Sequence, residues 1–170
     1  MKDSLNYSLS GKDILNKLNN KCNIVQYSDI HNFKTINELL GPYKKCIILY
    51  HTSENYGHWC SIYEYKNTIY FFDSYGNIID DQLNFLHKDL RDDLNSNFMH
   101  LTKLLYNSKK KIEYNEYQLQ AFSPNVNTCG RWVICRLLYP QISIDDFYKI
   151  FKDASKYIDI DELICKLIKI

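Results

Sequence analysis

The sequence has no apolar run of membrane-spanning length, no apolar stretch behind its first residues, no internal repeat and no linker rich in Pro, Gly or Ser. A spanning helix needs about 20 consecutive apolar residues, and none is present. A secretory signal needs an apolar segment, whereas Met1-Lys2-Asp3 opens onto polar sequence, so no signal peptide is read. With neither repeat nor linker, the 170 residues are expected to form a single domain, 1–170, large enough for a true core. An excess of one charge is also missing. Lys and Arg number 21 against 20 Asp and Glu, a net charge of +1, which gives no overall argument for nucleic acid. The one dense basic run, Lys109-Lys110-Lys111, reads as a solvated loop or helix end, with a phosphate patch as the lesser alternative. The six cysteines (22, 46, 60, 129, 135, 165) contain no CxxC pair. They are expected to be reduced thiols in a cytosol-like compartment rather than a disulfide framework.

What is present is apolar and aromatic: 45% hydrophobic and 15% aromatic residues, with 15 Tyr, describe a folded globular chain. Richness in Asn, Lys, Ile and Tyr suggests an AT-rich genome. Residues 10–20 read as a short capped helix with Ile14, Leu15 and Leu18 on one side, followed by irregular chain with a short strand at Ile24-Val25. Thr35 to Leu40 is a turn or two of helix ended by Gly41-Pro42. Cys46-Ile47-Ile48-Leu49-Tyr50, residues 58–65 and residues 68–75 form three adjacent strands, the last two joined by a turn at Lys66-Asn67. Residues 83–106 are helical in pieces, with Leu83, Leu86, Leu90, Leu94, Phe98, Leu101, Leu104 and Leu105 facing the core. Ile112 to Gln120 reads as a fourth strand. Ser143, spaced as a capping box with Asp146, and Asp159 start two closing helices. The last carries a stripe of Ile160, Leu163, Ile164, Leu167 and Ile168. The expected fold class is α+β: a small mixed or antiparallel sheet packed on a central helix opening at Cys129. The core spans 46–139, with helical additions over 1–45 and 141–170.

The chemistry centres on the stretch from Asn127 to Pro140. Asn127 and Thr128 are good N-cap types, Pro140 stops the helix, and Cys129 lies in the first turn. There the helix dipole and unpaired N–H groups favour a thiolate. Gly130 removes a side chain beside the sulfur and leaves room for a substrate backbone. The plain alternative is a small buried hydrophobe, the role assigned to Cys135. A nucleophilic thiol needs a base. Among five histidines, His58 at a strand start is the best candidate and His51 the rival; His31, His87 and His100 read as surface residues. Asp73 interrupts an apolar strand, which is costly without a partner. Pairing 65 with 68 sets 60 opposite 73, so His58 and Asp73 become diagonal neighbours, with the carboxylate accepting Nδ1–H. The alternative has Asp73 capping the turn at Ser74-Tyr75-Gly76. Gln118 and Gln120, alternating on the fourth strand, offer an amide for an oxyanion beside the Cys129 N–H. A metal site at His58 and Cys60, with His51 and Cys46 nearby, lacks a second ligand pair of recognisable spacing.

Gly57-His58-Trp59, Phe72-Asp73-Ser74-Tyr75-Gly76 and Thr128-Cys129-Gly130, in the order His, Asp, Gln, Cys, resemble the adenain-like and Ulp/SENP-like cysteine peptidases. The closest look is to the maturation proteases of virophages, polintons and large DNA viruses. The resemblance covers residues 46–139. It implies His58 as general base, Asp73 as orienting acid, Cys129 as nucleophile and Gln120, with Gln118 in reserve, as oxyanion donor. Trp59 would flank the site, shielding it or lending its backbone. The implied task is cleavage of capsid or core precursor proteins during virion maturation, in the host cytoplasm or virus factory and within the virion. No metal or other cofactor is implied beyond a peptide or DNA activator of the kind known in the family. Removal of ubiquitin-like modifiers, related acyl transfer, and a non-catalytic binding module on the same fold are the competing readings.

Overall fold

The computed structural model describes residues 4–53, 56–85, 88–93 and 98–170. A five-stranded mixed sheet in the order β1-β2-β3-β4-β5 carries helices on both faces, an α+β architecture. Strand β1 (Asn23–Gln26) pairs parallel to β2 (Lys45–Ser53). Strand β2 is antiparallel to β3 (Tyr56–Tyr65), β3 is antiparallel to β4 (Thr68–Phe72), and β5 (Lys111–Tyr114) lies parallel to β4. The β3–β4 hairpin closes at Lys66 and Asn67, both at positive φ (46° and 63°), the two-residue geometry whose twist matches antiparallel strands. Tyr65 faces Thr68, the expected register.

Alternation along the strands divides the core. Ile47, Tyr63 and Phe72 face α1 (Gly11–Lys17), α5 (Cys129–Leu138), α6 (Ile144–Ala154) and α7 (Ile160–Leu167). Cys46, Ile48, Tyr50, Cys60, Ile62, Ile69 and Phe71 face α2 (Ile36–Leu40), α4 (His100–Ser108) and a 3₁₀ turn at Tyr27–Asn32. Strand β2 is covered on both sides, which is why it reads as an unbroken apolar run. Ser10 closes a capping box on α1, Ser143 caps α6, and Asp159 accepts two N–H groups at the start of α7.

Several expectations change. The short strand expected at Ile24-Val25 is present as β1, but it joins the main sheet, so the region before residue 46 is part of the core and not only a helical addition. The fourth strand ends at Tyr114; residues 115–128 leave the ladder and run irregularly towards α5, because their polar groups bond to the turn after β4. Phe98 is 67% exposed, whereas Leu83, Leu101, Leu104 and Leu105 are buried. Leu167, expected in the α7 stripe, is 54% exposed; Asp161 and Cys165 face inward instead. Leu86, His87, Leu94 and the Leu90 side chain lie outside the described residues. A further stretch between the 3₁₀ turn at Asp81–Phe85 and α4 contains α3 (Lys88–Asp93). Among the described residues no helix is long and apolar enough to cross a membrane.

Candidate active site

Strand β3 is the central strand, so His58 enters from the middle of the sheet rather than from an edge. Two of its neighbours fix the ring: Tyr75 stacks on one face with centroids 4.5 Å apart, and Asp73 Oδ1 lies 2.7 Å from Nε2. The Cys129 thiol lies close enough to raise the ring's proton affinity. The nitrogen that meets the carboxylate is Nε2, not the expected Nδ1. Asp73 lies one residue past the end of β4 and reaches the far nitrogen of the ring. His58 is 5% exposed and Asp73 is completely buried.

The Asp73 carboxylate is held on both oxygens. Oδ1 also accepts the Tyr75 N–H at 2.8 Å, and Oδ2 accepts Gln82 Nε2 at 2.7 Å and Asn77 Nδ2 at 3.2 Å. Its backbone is clamped by Asn115, whose Oδ1 accepts the Asp73 N–H at 2.9 Å and whose Nδ2 donates to the Asp73 carbonyl at 2.7 Å. Burial alone would push this carboxyl up. The protonated His58 ring and the donated hydrogen bonds outweigh it and hold Asp73 below its ordinary value. Burial opposes the charge on His58 too, but neighbouring Cys60 and Asp73, with hydrogen bonds to Asp73 and Cys129, raise it well above the usual histidine range. Burial pushes Cys60 itself to about 12, so it is a neutral thiol near pH 7, and Asp73 is the anion that keeps the proton on the ring. The Asp73 turn-capping alternative is also realised, through the Tyr75 N–H: one carboxylate does both.

Cys129 opens α5, is partly exposed, and lines a cleft of about 550 Å³ with His58, Tyr75, Gln82, Gln120 and Phe122. Thr128 precedes it but does not cap the helix with its side chain. Its hydroxyl donates to Asp161 of α7, which also accepts Trp132 Nε1–H at 3.0 Å and the Ala121 N–H at 2.8 Å. A single buried carboxylate thus joins the residue before the cysteine, the body of α5 and the residue after Gln120. Residues 5–9 cross the same helix mouth. Their carbonyls accept the Asn127 N–H at 2.7 Å, Asn127 Nδ2 at 3.0 Å, Arg131 Nη1 at 3.1 Å and Trp59 Nε1 at 3.0 Å.

These contacts redirect two predicted residues. Gly130 does not open room for substrate; a Cβ there would meet Leu9 Cβ at 3.0 Å, so its bareness admits the N-terminal segment. Trp59, one residue from His58, points to the opposite face by strand alternation, packs against the α5 side of the core and anchors Leu9. Gln120 is buried in the cleft wall. Its Oε1 accepts the Ser74 hydroxyl at 2.8 Å, and its Nε2 donates to the Tyr75 hydroxyl at 3.0 Å and the Val126 carbonyl at 2.9 Å. Gln118 is not its strand-mate; it donates to the Gln120 carbonyl at 3.1 Å and does not line the cleft. His51, opposite Gly57 on β2, does not line it either. Cys46 lies in the core against α2, away from His58. His58, Cys60 and Asp73 do set ligand atoms within 4.8 Å of one another. A cation entering there would have to displace the hydrogen bonds that fill both Asp73 oxygens.

Asn115, Gln82, Tyr75 and Asp161 were not singled out in the sequence. Asp161 left a signal: 161, 164, 165 and 168 follow i, i+3, i+4, i+7 spacing, so an acid heads the buried face of α7.

No family model matches the sequence. The chain is 38% identical over 160 residues to a protein of Sputnik virophage designated uncharacterized protein V9, covering 92% of this chain and 91% of that one. Among solved structures, ASFV pS273R protease superposes with a TM-score of 0.47 at 14% identity, covering 96% of this chain and 68% of that one. The C-terminal Ulp1 protease domain, solved in complex with Smt3, the yeast orthologue of SUMO, gives 0.42 at 16% identity over 97% and 80%. ChlaDub1 of Chlamydia trachomatis gives 0.37 at 15% identity over 73% and 58%. At these scores the likeness carries no argument on chemistry.

Proposed function

The chain belongs to the same family as protein V9 of Sputnik virophage, and we propose that it is a cysteine endopeptidase. The observation that carries this reading is the hydrogen-bonded pair His58 and Asp73 lining one cleft with Cys129, which stands at the mouth of a buried helix. The protonated His58 ring stands beside the sulfur as its counter-ion. Cys129 Sγ, as thiolate, adds to a peptide carbonyl carbon, and the carbonyl electrons move to oxygen. As first residue of α5, Cys129 presents a backbone N–H with no helical partner to that oxyanion. A side-chain donor from the Gln120 wall completes the pocket. Collapse breaks the C–N bond, and His58 gives its proton to the leaving amine. Water, losing a proton to His58, hydrolyses the thioester and restores the thiolate and the imidazolium.

The proposed substrate is a capsid or core precursor protein, cut in the host cytoplasm or virus factory and inside the assembling particle; a virophage relative fits a virus-encoded chain. Incubation of wild-type and Cys129→Ala chains with the precursors of the encoding virus tests this. Cleavage is expected from the first and none from the second, with identical circular dichroism. Cleavage retained by Cys129→Ala would overturn the peptidase reading. Rapid reaction with ubiquitin aldehyde, together with intact precursors, would move the substrate to ubiquitin-like conjugates. Iodoacetamide at mildly acidic pH should label Cys129 ahead of the other five cysteines. All five are buried, and burial pushes Cys60 and Cys135 to about 12.

A further inference from the structure

The Gln120 amide has no hydrogen to spare. A primary amide offers two N–H donors, and both are placed, one on the Tyr75 hydroxyl and one on the Val126 carbonyl, while Ser74 fills the oxygen. The Tyr75 hydroxyl is in the opposite position. It accepts from Gln120 at 3.0 Å, and among the described residues its own proton is directed to no protein acceptor. It lines the same cleft as Cys129 and His58. The ring that carries it is held on two sides, stacked on His58 at 4.5 Å and edge-on to Phe122 at 5.3 Å.

We infer that Tyr75 is a catalytic residue, its phenolic O–H donating to the oxyanion, with Gln120 the positioning residue that aims it. This rests on the peptidase reading of Cys129. A donor suits the role only if it keeps its proton; partial burial raises the Tyr75 hydroxyl above its ordinary value, the His58 cation opposes this, and the neighbouring anions add to the burial, leaving the net shift upward. It also suits the role only if it is fixed before the reaction, which the stacked ring and the Gln120 bond provide. When Cys129 Sγ adds to a carbonyl, the new negative charge falls on oxygen; Tyr75 stabilises it by hydrogen bonding and does not transfer its proton.

Two small reagents test this without the natural substrate. p-Nitrophenyl acetate acylates Cys129 through a tetrahedral oxyanion: the S–C bond forms, p-nitrophenolate leaves, and S-acetyl-cysteine remains. Iodoacetamide alkylates the same sulfur by direct displacement of iodide, with no oxyanion. Tyr75→Phe should slow acylation on the order of 100-fold or more and leave the alkylation rate within about twofold. Gln120→Ala, which releases the hydroxyl without removing it, should slow acylation by a smaller factor. Equal rates of acylation in Tyr75→Phe and wild type overturn the inference. So does a proportional fall in both reactions, which would make Tyr75 a support for His58 only. In either case a Cys129 that still outpaces the other thiols leaves the peptidase reading standing. A Cys129 that does not outpace them overturns both.

Discussion

The two walls of the cleft are built by different means. His58 and Asp73 come from a tight hairpin, two residues brought together by a register that one turn dictates. Gln120 and Cys129 come from an irregular segment and a helix start, held by residues far away in the chain: Asp161 in α7 and the carbonyls of residues 5–9. The hairpin wall tunes protons; its groups are buried, charged and mutually hydrogen-bonded. The loop wall sets positions; its bonds mostly run from neutral donors to carbonyls or to a single carboxylate. Damage to the first should appear in the pH profile, and damage to the second in rate and stability at unchanged pH dependence.

The largest separable effect is expected at Asp73→Asn, a fall in kcat/KM of up to about 10⁴-fold. Its alkaline limb should also move to lower pH. The carboxylate holds the proton on His58, and without it burial favours the neutral ring. An unmoved limb would remove Asp73 from the proton chemistry. The same pair makes a linked stability prediction. His58, raised above 6.5, contributes stability that is full below that value and is lost as pH climbs through the raised one. Asp73, lowered below 3.8, contributes stability present above that value and lost as pH falls through the lowered one. Urea midpoints across pH should therefore form a plateau between these limits that narrows on the alkaline side in Asp73→Asn.

Next in size is Asp161→Ala. Three donors lose one acceptor, so unfolding free energy should drop by about 2–4 kcal/mol and kcat should fall by roughly tenfold or more as the loop wall loosens. The alkaline limb should stay where it is; a shift would show that the two walls are electrostatically coupled. Smallest is a contrast of glycines. A Cβ at Gly57, beside His58 on β3, would meet the Tyr50 carbonyl at 2.8 Å and Leu49 Cδ1 at 2.5 Å. Gly57→Ala should cost about 2–3 kcal/mol, because backbone cannot step aside. At Gly130 the nearest atoms belong to the Leu9 side chain, at 3.0 Å and beyond, and alanine's helix preference offsets the crowding, so Gly130→Ala should stay within about 1 kcal/mol. Equal costs at the two sites would mean the N-terminal segment is as stiff as the sheet.

This division explains what could be read from sequence. The hairpin register follows from two turn residues and period-two alternation, so the proximity of His58 and Asp73 was legible, although the nitrogen was not. That depends on where the chain leaves β4 and on Asn115 clamping it there. Gln120 was legible as a cleft residue only through the order of the motifs. The strand drawn for it does not exist, since bonds from 115, 119 and 120 to residues 73 and 74 replace the ladder. Gly130 and Trp59 were misassigned because both face an N-terminal segment whose docking no local pattern announces. The buried Arg136, bonded to the Tyr63 hydroxyl and the Ile142 carbonyl, hides equally well in an apolar helix. The Lys109-Lys110-Lys111 run did resolve as expected of a helix end: Lys109 ends α4, Lys110 pairs with Glu64 and Lys111 with Glu113.

The place of Asp161 has a consequence for timing. During synthesis the nucleophile emerges long before α7, and until α7 docks, Thr128, Trp132 and Ala121 have no common acceptor. On the peptidase reading, a chain assembled in this order should stay silent while it is being made. A chain truncated before Ile160 should carry His58, Asp73 and Cys129 intact and still acylate at Cys129 no faster than a free thiol.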